Sequence, residues 1–169
     1  MKTLYIYLFL SFIFFLSSST TCEYFDDNPS LLLIGVELVN INNEGKEMLI
    51  SDDPIKKEAY VIGIKYIASE AVDKDSIGNS FYVKHSNFIY FANAYPEPRI
   101  YCNNDFDEDY PAGSDISHLF WFSTKDILNQ NLLLILKKAP QKGIHSFKVV
   151  FDCHNNKVIE NNTAEIELY

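Results

Sequence analysis

Apolar and polar residues alternate along much of this chain, and a period of two commits it to pleated structure. The last third shows the pattern best. Leu132, Leu134 and Leu136 alternate with Leu133, Ile135 and Lys137. Ala139-Pro140-Gln141-Lys142-Gly143 then reads as a turn. Beyond it, Phe147, Val149 and Phe151 are expected to face inward, with Ser146, Lys148 and Asp152 outward. The chain closes on Ala164-Glu165-Ile166-Glu167-Leu168. Earlier, residues 59–67 form the clearest strand, with Tyr60, Ile62, Ile64 and Tyr66 on the core face and Lys65 opposite. Residues 31–41 are expected to bury Leu32, Ile34, Val36 and Leu38. Short strands are expected within 46–50, 81–84, 87–93 and 118–123, and a short helix within 124–130. Residues 94–117 read as one long irregular loop. Seven or eight short strands with hardly a helix predict an all-β fold. The expected form is a single immunoglobulin-like antiparallel β-sandwich.

The N-terminus reads as an address. Lys2 precedes an apolar run, Leu4 to Leu16, of 13 residues. A membrane span needs roughly 20, whereas the apolar core of a signal peptide has roughly 7–15. Ser17 and Ser19 suit an ordinary signal peptidase; Cys22 suits diacylation as a lipoprotein. Thr21 departs from the Gly or Ala usual before a lipidated cysteine. The expected organisation is a signal peptide over 1–21, a short acidic tether over 22–30 and one β-sandwich domain over 31–169. The protein is thus expected to be exported. Acylated Cys22 would hold it in a lipid bilayer as an outer-membrane lipoprotein, on the cell surface or the periplasmic side.

Loss of residues 1–21 removes Lys2 and no acid, taking the formal charge from −9 to −10. That balance argues against nucleic acid as a partner. With Cys22 acylated, Cys102 and Cys153 remain. In an oxidising compartment they are candidates for a disulfide, with two buried free thiols as the alternative. A bridge closing a loop of about 50 residues contributes roughly 4 kcal/mol.

The layout resembles uncharacterised small lipoproteins of Bacteroidetes-type bacteria. The features that carry the resemblance are the leader with Cys22, the AYVIGIKY and LLLILKKAP strands and the GIHSFKVVFD…AEIEL finish. It implies an envelope location and a sandwich fold, and brings no active site with it. Glu23, Asp26 and Asp27 resemble the acidic surface-export signal that such lipoproteins carry after the cysteine, with Tyr24 and Phe25 interrupting it.

Chemistry-bearing patterns are few. Asp105, Asp107 and Asp109 alternate as the first ligands of a calcium loop do. Tyr110 stands where such a loop needs glycine, and Ile116 where it needs a bidentate Glu. A solvated acidic loop is the alternative, and calcium is the one cofactor the pattern raises. Twelve of the 19 aromatic residues after residue 21 fall between Phe81 and Phe122. Tyr95, Tyr101, Phe106 and Tyr110 lie in the irregular stretch and are the candidates for an exposed binding surface. His85, His118, His145 and His154 show no metal-ligand spacing. No nucleophile elbow, phosphate loop or dinucleotide glycine pattern is present. The expected function is a non-catalytic binding or assembly module with an unidentified protein or glycan partner. The alternative is a glycan- or calcium-binding module using the 94–117 loop.

Overall fold

The structure, a computed structural model, describes residues 31–70, 91, 94–95, 97–124, 128–154 and 156–169. The leader, Cys22, the tether, the 81–84 strand and most of the 87–93 strand lie outside these residues. The described chain is all-β, with ten strands in place of the seven or eight expected. In order they are β1 (Leu31–Asn42), β2 (Leu49–Ile50), β3 (Tyr60–Glu70), β4 (Arg99–Cys102) and β5 (Phe120–Ser123). Then follow β6 (Leu132–Leu136), β7 (Gly143–His145), β8 (Phe147–Asp152), β9 (Val158–Asn162) and β10 (Ile166–Leu168). One sheet has the order β2-β1-β3-β6-β5, a second β4-β8-β9, and β10 pairs with β7. Every ladder is antiparallel. The sheets face each other across one core, as a sandwich requires.

The core draws on the faces that alternation assigns. Tyr60, Ile62 and Ile64 of β3 meet Phe147, Val149 and Phe151 of β8, all fully buried. The Tyr60 and Phe147 rings stack at 5.5 Å, and Phe120 meets Phe147 edge-on at 6.1 Å. Strand β1 corrects the sequence reading in its first half. A bulge between Leu33 and Gly35 inserts one residue, which reverses the facing of everything before it. Leu33 is therefore buried and Ile34 is 59% exposed, whereas Val36 keeps its expected inward place. Strand β4 is a second correction, since it lies inside the stretch read as irregular. Its Arg99-Ile100-Tyr101-Cys102 alternates exposed, buried, half-buried, buried.

A polar cross-link joins the sheets through the core. The Tyr60 hydroxyl donates to Asn40 Oδ1 at 2.7 Å, and Asn40 Nδ2 donates to the Ala164 carbonyl at 3.1 Å. The Phe147 N–H donates to Thr163 Oγ1 at 3.0 Å. Buried groups satisfied in this way fix a single sheet-to-sheet register.

The outer face of the larger sheet carries its own small cluster of Ile41, Val61 and Leu133. Leu128 packs onto it although its φ is +57°, a backbone region costly for a branched side chain. With Asn129 also at φ +61°, residues 128–130 form a tight turn where the end of a short helix was expected, and residues 125–127 of that range lie outside the described residues. Gly63 leaves room beneath this cover. A Cβ there would lie 2.8 Å from Gln130 Cγ and Ile41 Cδ1 and 2.9 Å from Val39 Cγ2. Gly63→Ala is expected to cost about 1–3 kcal/mol by overpacking, read as a lower urea midpoint at unchanged m-value.

Candidate functional site

The loop that follows β4 is folded by its own acidic residues. Asp105 Oδ1 accepts from the Ala112 N–H at 2.8 Å. Asp107 Oδ1 accepts from the N–H groups of Asp109 and Tyr110 at 2.9 and 3.2 Å. Its other oxygen meets Lys138 Nζ at 2.6 Å, and Asp109 lies 3.7 Å from the same ammonium. That ammonium holds the Asp107 carboxyl below the usual carboxylate range, against the opposing effect of desolvation. Among the described residues no three His, Cys, Asp or Glu side chains gather as metal ligands. Asp105 and Asp107 thus bond to the backbone of their own loop, and Asp109 lies beside Lys138. Phe106 is fully buried in the main core, not a surface aromatic. Its N–H donates to the Tyr110 carbonyl and its carbonyl accepts from Gln141 N–H, each at 2.8 Å.

A continuous polar and aromatic surface runs from this loop onto the β5 edge. Tyr110 is half-buried; its hydroxyl lies 3.0 Å from His118 Nε2, and the two rings are 5.5 Å apart. Lys138 Nζ sits 5.6 Å from the Tyr110 ring centre. The neighbouring Lys137 donates to the His118 carbonyl at 2.9 Å and lies 4.3 Å from the centre of the Trp121 ring. Trp121 is 64% exposed, although Phe120 beside it is buried. Among the described strands β5 is flanked by β6 alone, which puts Trp121 at the edge of the described sheet.

Residues 33–138 match a family model described as a domain of unknown function, DUF5034. The chain belongs to this family. No curated protein and no solved structure matches it. The DUF5034 span includes Asp107, Tyr110, His118, Trp121, Lys137 and Lys138, and so holds the whole surface just described. Strands β7 to β10, which complete the sandwich, lie beyond the matched DUF5034 residues.

The remaining candidates are scattered. Tyr95 is 54% exposed and meets the His154 ring edge-on at 4.6 Å. The two flank a cleft of about 380 Å³ that Asp152, Cys153 and Asn156 also line. Tyr101 lies on the outer face of the smaller sheet, with Arg99 and Lys148 at 5.8 and 5.2 Å from its ring centre. These cations pair with Asp152 and Glu160, so Tyr101 is part of a charged lattice. Trp121 is the residue that sequence reading passed over. The signal was there, because a residue between inward Phe120 and Phe122 has to point outward.

The disulfide between Cys102 and Cys153 is not formed; both are buried free thiols. Cys102 lies opposite Phe147 in the β4–β8 ladder, whereas Cys153 follows the end of β8. Six residues of extended chain separate those positions by about 20 Å, and a bridge tolerates Cα separations of only about 7 Å. The Cys102 thiol instead donates to the Pro111 carbonyl at 3.3 Å.

His145 is a buried histidine with one satisfied nitrogen. Its Nε2 lies 2.8 Å from the Gln141 carbonyl and so carries the proton, while Nδ1 is buried without a partner. Desolvation lowers its pKa, with the Gln141 bond opposing. The unfolded chain therefore binds a proton that the folded one resists. Stability should fall as pH drops below about 6.5 and level off below the folded pKa. His145→Gln is expected to flatten that part of a denaturation-versus-pH curve. Asp107, whose pKa is lowered, acts at more acidic pH and leaves its own separate step.

Proposed function

We propose that this protein is a non-catalytic, lipid-anchored module of the bacterial envelope that binds a partner through the end of its sandwich farthest from the membrane. The observation that carries this reading is the direction of β1. Leu31, where the tether joins, pairs with Glu70, and Asn42 at the other end pairs with Tyr60. Leu136 and Phe120 lie at the Tyr60 end of the sheet. The Trp121 surface and the tether are therefore at opposite ends, separated by about 35 Å of strand. A signal peptide over 1–21 and acylation of Cys22 would then present Trp121 away from the bilayer of the outer membrane. The surface or periplasmic side is set by export, not by the sandwich.

The immunoglobulin-like reading has support in strand order. With β1, β3, β4, β5, β6, β8 and β9 taken as strands A to G, the two sheets read A-B-E-D and C-F-G. Antibody domains bridge B and F with a disulfide. Here the corresponding β3 and β8 carry no cysteine, and Tyr60 stacks on Phe147 in its place.

The test uses the single tryptophan of the chain. Cys22→Ala should move the protein from the membrane to the soluble fraction. In the anchored protein, aqueous acrylamide should quench Trp121 and headgroup-labelled quencher lipid should not. A mutant that stays in the membrane removes the anchor, and efficient quenching by the lipid removes the proposed orientation.

A further inference from the structure

Resting on the reading of the Trp121 end as the contact surface, we infer that this surface binds an acidic saccharide. Trp121 would stack on a pyranose ring and Lys137 would meet its carboxylate. An indole that is 64% exposed on the outer face of a sheet contributes little to the core. It is nonetheless held in place. The Lys137 ammonium lies 4.3 Å from the ring centre and is itself tied to the His118 carbonyl at 2.9 Å. A ring fixed before binding loses little rotamer freedom on binding. Sugar C–H bonds carry partial positive charge and are drawn to the electron-rich face of an aromatic ring.

Charge selects among saccharides. Lys138 is paired with Asp107 and Asp109, whereas Lys137 has no carboxylate partner among the described residues. An ammonium has three donors, and the His118 carbonyl takes one of them. An unpaired cation beside an exposed indole, on a chain of net charge −9, marks a place for an anionic group. The surroundings separate a sugar from a protein partner. A protein hot spot is a packed apolar cluster sealed from water. Among the described residues of the larger sheet the other exposed large apolar side chains lie elsewhere. Leu49 and Ile50 are on the opposite edge, four strand spacings or about 19 Å away. Ile34 and Ile67 are at the other end, beside the bulge in β1. Beside Trp121 stand half-buried Ile135, opposite it in the β5–β6 ladder, and Lys137, whose ammonium suits a carboxylate.

The experiment is a fluorescence titration of the Cys22→Ala protein with tetragalacturonate, with cellotetraose as the neutral control. Trp121 is the sole fluorophore of its kind in the chain. The expected result is a saturable emission change with tetragalacturonate only. Calorimetry should show that Lys137→Met weakens it at least tenfold and that Trp121→Ala abolishes it. Lys148→Met, on the outer face of the smaller sheet, should leave it unchanged. Unchanged unfolding midpoints in all three variants would exclude a folding defect. Equal binding of cellotetraose overturns the role of Lys137, and no saturable change with either sugar overturns the saccharide. The readout is made in solution, so it stands apart from the fractionation and lipid-quenching results. Sugar binding by the Cys22→Ala protein, with the parent protein absent from the membrane fraction, would sink the anchor alone.

Discussion

Phe106→Ala is expected to lower the free energy of unfolding by about 3–5 kcal/mol, the range for emptying a core aromatic site. Its side chain is fully buried and meets Tyr110 edge-on at 6.3 Å. Its backbone bonds tie the turn at Tyr110 to Gln141 in the connection between β6 and β7. The residue thus anchors the loop after β4 to the sandwich. Removing the ring leaves a cavity that the loop fills only by giving up these bonds, which places the cost at the upper end of the range. Domains of this size are stable by only about 5–15 kcal/mol. The measurement is equilibrium urea denaturation followed by far-ultraviolet circular dichroism. A loss under about 1 kcal/mol would mean that the loop rides on the surface. A second effect follows from the geometry. Tyr110 and Lys138 are placed by this loop, so the variant should also loosen the neighbourhood of Trp121 and increase its quenching by acrylamide.

The contrast between Phe106 and Phe147 shows what a sequence makes visible. Phe147 sits in a run where every second residue is apolar, and its facing follows from the pleat. Phe106 stands alone among aspartates, where no period reports on burial, and its inward path is set by Asp105 and Asp107 bonding to N–H groups of the same loop. Alternation is also blind to insertions. The reading of β1 holds from Val36 onward and reverses before it, because one extra residue near Ile34 flips the register. The cysteines failed for a third reason. Pairing depends on which strand positions oppose each other, and β4 meets β8 at Phe147 instead of at its end. Trp121, by contrast, was legible. Local alternation with two phenylalanines turns it outward, and its place on the sheet edge needed only the β5–β6 pairing. What no sequence pattern could supply was Lys137 over its ring, since that contact depends on where β6 ends relative to β5.

Phe147→Ala should be at least as damaging, again about 3–5 kcal/mol, and for a different structural reason. Phe147 is where both sheets and the C-terminal segment meet. Its ring stacks on Tyr60, meets Phe120 edge-on and lies parallel to His145 with centres 6.2 Å apart. Its backbone exchanges two hydrogen bonds with Thr163, one to the side chain and one from the N–H. Truncation removes the ring that holds Tyr60, whose hydroxyl is committed to Asn40. The loss should therefore couple to the polar cross-link. A double-mutant cycle with Tyr60→Leu isolates the ring pair, and a coupling of about 0.5–1.5 kcal/mol is the value expected for stacked aromatics. Additivity of the two substitutions would show that the rings are merely neighbours. A measurable coupling would place the joint between the sheets at Tyr60 and Phe147, on the strands where an immunoglobulin-like domain would carry its bridge.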